Sequence, residues 1–242
     1  MIMVAAAALG PVVGSYVTTA AVRSVTEGGP RGARSCCDGC GRRLSWRETT
    51  PLISYAWLRG RCRTCEAPIP VLHPLGEACG LLAAVATAWA TPDHRAVGVV
   101  VLAAVLLAAS VVDLSIRILP DLMVAIVAIC GTSLAALHGL DVWLEGVVAG
   151  AATLLILGGF SLIYERRRGA VGLGMGDVKL FAALALWLGA ASPWMVLSSM
   201  VLGLVVAAVS PPIDRKIVMG PMIAVSGFAI GLLLEAGIWP RL

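Results

Sequence analysis

The sequence predicts an all-α polytopic membrane protein, with about eight transmembrane helices and a small cytoplasmic zinc-ribbon-like insert. Three observations carry that prediction. Of the 242 residues, 59% are hydrophobic and 13% charged, where a soluble domain carries about 25% charge; the mean hydropathy is +0.93. Most of the apolar length falls in uninterrupted runs near the roughly 20 residues that cross a bilayer. The one long polar stretch, after the first run, holds two Cys-x-x-Cys pairs.

Taken in order, the runs lie near residues 3–22, 74–91, 96–114, 120–138, 142–164, 177–190, 193–212 and 217–238. The first lacks the basic start of a signal peptide and is too long for its apolar core, so it reads as a retained span. Pro193 divides the short sixth run from the seventh. A single helix bent at Pro193 would instead give seven spans and invert everything beyond it.

Lys and Arg mark cytoplasmic loops. Arg23, Arg31, Arg34, Arg42, Arg43, Arg47, Arg59, Arg61 and Arg63 put the segment after the first span inside and the N-terminus outside. With eight spans, Arg117, Arg166, Arg167, Arg168, Arg215 and Lys216 also fall inside. The loops at 91–95, 139–141 and 191–192 then fall outside with Arg95 as their one basic residue. The net charge of +4 is small, and the arginines gather beside apolar runs instead of interleaving with aromatics, which excludes nucleic acid as a partner and points to lipid. Ala, Val, Leu and Gly dominate the spans without a repeat, a bias that reads as lipid-facing composition.

Two carboxylates stand out. Asp113 closes the third run and Asp177 opens the sixth, so the topology brings both to the same depth on the cytoplasmic side. An acid within a membrane segment faces a partner or a water-filled cavity. Two carboxylates in hydrogen-bond reach share a proton, so one can activate water while the other donates to a carbonyl oxygen, which is aspartic-protease chemistry. Two other readings stand beside it: an interfacial or helix-capping role for each acid, and a proton- or cation-coupled transporter that uses Asp113 and Asp177 as a relay. Gly172, Gly174 and Gly176 precede Asp177, where chains without Cβ atoms adopt positive φ and admit a substrate strand.

Cys37/Cys40 and Cys62/Cys65 lie 21 residues apart, close to the spacing of a zinc ribbon, and each pair offers two thiolates to a tetrahedral structural Zn2+. Disulfides are the alternative, though a reducing cytoplasm disfavours them. Cys36 adjoins Cys37 and can exchange with it as a ligand. Cys79 and Cys130 fall in spans as packing residues, and His73, His94 and His138 stand apart beside span ends as interfacial residues.

Gly-Leu-Gly-Met-Gly-Asp-Val-Lys-Leu at 172–180 resembles the GxGD motif of intramembrane aspartic proteases in its prepilin-peptidase form. Asp-Leu-Ser-Ile-Arg-Ile-Leu-Pro-Asp at 113–121 is similar to that family's first catalytic segment. Gly14-Ser15, the Cys pairs, Pro51-Leu52-Ile53-Ser54, Pro74 with Glu77, and Gly220-Pro221 follow the same family in the expected order.

The resemblance implies that Asp113 and Asp177 are the catalytic carboxylates and that the chain divides into a first transmembrane helix (1–22), a cytoplasmic four-cysteine insert (23–73) and a transmembrane aspartic peptidase domain (74–242). It implies removal of the leader from type IV prepilins or pseudopilins at the cytoplasmic face of a bacterial inner membrane. N-methylation of the new terminus by S-adenosylmethionine would follow in bifunctional members. Asp121 reads as a cap of the fourth helix, and Lys179 as either a snorkelling anchor or a counter-charge. The chain departs from the family's Gly-Ser-Phe-Leu-Asn pattern with Gly-Ser-Tyr-Val-Thr, and the departure at Thr18 bears on methylation more than on cleavage.

Overall fold

The computed structural model describes residues 2–26, 35–91, 93–170, 172–209 and 217–241. Arg31, Arg34, Arg215 and Lys216, four of the residues used to orient the loops, lie outside the described residues. Eight long helices occupy the eight apolar runs: α1 (Ile2–Val25), α3 (Leu72–Ala90), α4 (Arg95–Ile116), α5 (Asp121–His138), α6 (Leu140–Arg168), α7 (Met175–Leu188), α8 (Ser192–Val209) and α9 (Gly220–Glu235). A short α2 (Ile53–Trp57) and a 3-10 turn at Trp46–Glu48 lie in the insert. Five segments of the described chain are long and apolar enough to cross a membrane, with Met175–Val209 counted as one of them.

That last segment is folded back on itself. Gly189 leaves α7 at φ 54° and ψ −131°, a conformation open only to glycine at low cost. On α9, Gly227 lies against both Leu184 and Met195, while Gly203 of α8 lies against Met219 at the start of α9. So α8 runs antiparallel to α9, and α7 runs parallel to it. The reversal expected near Pro193 is therefore present, but Gly189 makes it. Pro193 is the second residue of α8, where a missing backbone N–H costs nothing.

The glycines correct a second expectation. Most of those in the spans are interface residues and not lipid-facing filler. Gly10 and Gly14 of α1 meet the backbone of Gly80 and Gly76 of α3, so close that a Cβ at any of the four would collide with the facing helix. This is a small-xxx-small contact on both partners, of the kind that drives helix pairing where lipid removes the hydrophobic incentive. Gly131 of α5 and Gly146 and Gly150 of α6 close on the backbone of α7 in the same way, and Gly227 and Gly231 of α9 close on its Leu184 and Trp187 side chains. Hence α7 buries Val178, Leu180, Phe181, Leu184, Trp187 and Leu188 and forms the centre of the bundle. Large apolar side chains such as Leu122, Val148, Leu155 and Leu204 remain exposed around its rim, as a lipid belt requires.

The insert and the two aspartates share one end of this bundle. Ala21 near the end of α1 packs against Val111 and Val112 of α4, the two residues that precede Asp113. Within the insert, two turns have the same construction. In the first, the Cys37 amide donates to Arg42 O and the Gly41 amide to Cys37 O; in the second, the Cys62 amide donates to Ala67 O and the Glu66 amide to Cys62 O, all at 2.9–3.0 Å. The fifth residue of each turn is left-handed, Gly41 at φ 68° and Glu66 at φ 57°.

Candidate active site

Asp113 sits in the last turn of α4 and is buried. Its Oδ2 accepts a 2.8 Å hydrogen bond from the Gly220 amide, the first residue of α9. That amide is one of the four donors that a helix leaves unsatisfied at its N-terminus, and the helix dipole favours an anion there. A Cβ on residue 220 would collide with the Asp113 carboxylate, so the contact needs glycine. Asp177 is the third residue of α7, in its first turn, and its carboxylate lies beside Gly174, the N-cap of the same helix. Each carboxylate therefore stands at a helix N-terminus, and the two are near enough for the charge of Asp113 to act on Asp177.

The Gly-x-Gly-x-Gly stretch does its work by close approach. Gly176 lies against Leu119 of the α4–α5 connection, Gly172 against the Tyr164 ring, and Gly174 against the Asp177 carboxylate. Gly174 has φ −63° and Gly176 lies inside α7, so positive φ is not what these two glycines supply. Asp121 is the first residue of α5, with Pro120 at the cap position. It does not cap; instead its Oδ1 receives the Lys179 ammonium at 2.7 Å, a pair exposed on both sides. Lys179 thus acts as a counter-charge that ties α5 to the start of α7.

The Sγ atoms of Cys37, Cys40, Cys62 and Cys65 lie within 4.8 Å of one another and can hold a metal ion. The Cys37–Cys65 separation of 3.7 Å matches the edge of a tetrahedron with bonds of about 2.3 Å, near 3.8 Å. Amides of Cys65 and Thr64 directed at the Cys62 sulfur bring its thiol down to about 6, while burial and the neighbouring sulfurs push Cys65 up to about 12, so one thiolate forms readily and the crowded set needs a cation to hold more. Cys36 is outside the cluster, in a bridge with Arg43. Nearby, Arg42 grips Glu48 through both nitrogens at 2.6 and 3.2 Å. With help from the Ser45 amide and hydroxyl it holds the Glu48 carboxyl down at about 2.

A cavity of about 170 Å³ separates the insert from α1 and α3; Ser15, Arg23, Asp38, Tyr55, His73 and Glu77 are among its walls. Glu77 is buried and joins three elements: Oε1 accepts from Ser15 of α1 at 2.8 Å, and Oε2 from the amide of Leu52 in the insert at 2.7 Å. Thr18 faces Gly76 with its hydroxyl unpartnered among the described residues.

At the far end of the bundle, sequence reasoning missed a cluster. The Glu235 side chain has no solvent exposure, and it meets Arg95, Arg241 and His138 as well as Trp187. His138 is thus part of a charged network and not an isolated interfacial residue. A long apolar segment ending in an acid was the one available signal.

Helices that bury backbone on backbone through glycine, and two acids anchored at one end of them, make this a multi-pass helical membrane protein with a paired-carboxylate site. Two family models match the chain: the bacterial Peptidase A24 N-terminal domain over residues 8–91 and the type IV leader peptidase family over residues 100–208. A protein of Burkholderia pseudomallei called prepilin leader peptidase/N-methyltransferase is 38% identical over 204 residues, covering 81% of this chain and 66% of the relative. One of the same description from Aeromonas hydrophila is 34% identical over 81% of this chain and 70% of the relative. A type 4 prepilin-like proteins leader peptide-processing enzyme of Escherichia coli is 35% identical, over 81% and 74%. The chain belongs to the type IV leader peptidase family. It spans about two thirds of the length of the Burkholderia relative, and no solved structure matches it.

Proposed function

We propose that this protein is a membrane aspartic endopeptidase that removes the leader of type IV prepilins or pseudopilins at the cytoplasmic face of the bacterial inner membrane. The observation that carries this reading is the pair Asp113 and Asp177, each at a helix N-terminus at the end of the bundle where the insert also sits. One carboxylate takes a proton from the attacking water, and the other gives a proton to the scissile carbonyl oxygen. The Gly220 amide fixes one oxygen of Asp113 and leaves the other for this exchange. Orientation has its own support. The basic run Arg166–Arg168 and the arginines of the insert lie at the aspartate end, whereas Arg95 and Arg241 at the far end are neutralised by Asp93 and Glu235. Nothing in the site favours a transporter. Mass spectrometry of the N-terminus of a coexpressed prepilin tests the reading: removal of the leader supports it, and an intact leader beside correctly inserted protein overturns it.

The four cysteines suit a structural Zn2+, which their closed set would hold without an open position for catalysis. An insert with little core of its own draws its fold from such an ion. Purified protein is expected to carry about one zinc per chain, and Cys62→Ala to carry almost none. Limited proteolysis should then cut the variant between residues 35 and 71 while α3–α9 remain intact.

Methylation is the second part of the proposal, and the cavity beneath the insert is the place for it. Asp38 and Glu77 provide negative charge for a sulfonium, and the Tyr55 ring provides a face for a purine. S-adenosylmethionine held there would supply a methyl group to the new amino terminus. Glu77→Gln, which keeps the shape but weakens the bond to Leu52, is expected to lower methylation about 10-fold or more and leave cleavage within about 2-fold. The same spectra report both, since methylation adds its own mass increment.

A further inference from the structure

Glu235 lies at the end of the bundle opposite the aspartates, yet its contacts trace back to the site. Its Oε1 accepts from Trp187 Nε1 at 3.1 Å and from Arg241 Nη2 at 2.8 Å, and its Oε2 accepts from Arg95 Nη1 at 2.9 Å. The His138 ring nitrogen lies 3.0 Å from Oε1. Arg95 opens α4, whose other end carries Asp113. Trp187 ends α7, which begins at Asp177, and Glu235 itself ends α9, which begins at Gly220. Every helix that contributes a group to the site thus has its far end bound to one buried carboxylate.

We infer that Glu235 is a positioning residue, which sets the separation of Asp113 and Asp177 by fixing α4, α7 and α9 against one another. At 1.5 Å per residue the lever arms are about 27 Å on α4, 15 Å on α7 and 22 Å on α9, so a small tilt at Glu235 becomes a displacement at the carboxylates. The packing along those arms is glycine against side chain. The Trp187 ring lies on Gly231, and Leu184 lies on Gly227, so α9 follows α7 as a rigid unit between the two ends. Around Glu235 the charged and titratable groups are Arg95 with its partner Asp93, Arg241, His138, and Glu145, which accepts the Ala190 amide beside the same turn. Two arginines face a single buried acid, and loss of its charge leaves them without the group that holds them together.

This inference rests on the peptidase reading, and the test keeps the two apart. Glu235→Gln and Trp187→Phe are assayed in the full-length, membrane-inserted protein. The measurements are kcat, KM and the pH profile of prepilin cleavage per folded molecule, together with an infrared titration of the Asp113 and Asp177 carboxyl groups. Coupled acids have apparent pKa values that separate as the groups approach and converge as they part. Glu235→Gln is expected to lower kcat about 10- to 100-fold with KM within about 2-fold, and to narrow both the bell-shaped profile and the infrared separation. Trp187→Phe, which removes the indole donor and trims the ring where it lies on Gly231, changes the same quantities in the same direction by about 2- to 3-fold. An unaltered profile and infrared separation, with activity that follows only the amount of folded protein, overturns the inference. If the wild type leaves prepilins intact, the peptidase reading fails, and the infrared separation alone decides the role of Glu235.

Discussion

Replacement of Asp113 or Asp177 by asparagine is expected to reduce leader cleavage by about a thousandfold or more, while the protein still inserts and folds. Acid–base catalysis by a positioned group contributes roughly 10²- to 10⁴-fold, and a water-activating pair loses both halves of its cycle when either member can no longer exchange a proton. The fold survives because the amide of asparagine keeps the volume of the acid, and at residue 113 it offers a carbonyl oxygen to the same Gly220 N–H donor. Neither site depends on charge to close a salt bridge, unlike Asp121 with Lys179. The check is the mass of the prepilin N-terminus, read beside the quantity of each variant in the membrane fraction. Cleavage at even a tenth of the wild-type rate in either inserted variant would remove that residue from the catalytic pair.

The parts of this site that follow from the solvent were legible in the sequence. Apolar runs and loop arginines place Asp113 and Asp177 at one depth and one end, because the bilayer fixes helix length and the membrane sorts basic loops. The spacing of Cys37, Cys40, Cys62 and Cys65 carries the cysteine cluster because two tight turns are local structures. What depends on which helix faces which was hidden. Gly10, Gly14, Gly76 and Gly80 look like general apolar filler until α1 and α3 are seen backbone to backbone. Arg95, His138, Trp187 and Glu235 lie at the ends of four different helices and Arg241 beyond the last of them, and no periodicity links them. The chain reversal shows the limit of reading breakers from composition: proline is compatible with the first turn of a helix, so Pro193 stays inside α8, and the less conspicuous Gly189 makes the turn.

Gly220 is where this hidden layer meets the chemistry, and Gly220→Val is expected to lower cleavage about a hundredfold or more. A Cβ there would occupy the space of the Asp113 carboxylate, so the start of α9 and the end of α4 must part, and the 2.8 Å bond from the residue 220 amide is lost. Catalysis between two carboxylates tolerates little misplacement, and a shift of about 1 Å costs on the order of a hundredfold. Gly220→Ala makes the same collision with a smaller group, so its loss should be smaller in size and the same in kind, a fall in kcat with KM nearly constant. The rest of α9 remains tied to α7 through Gly227, Gly231 and the Glu235 cluster, which keeps both variants folded. If Gly220→Val raised KM alone, residue 220 would be lining the path of the leader instead of anchoring Asp113. If it left both constants unchanged, the amide bond to Asp113 would have no part in the reaction.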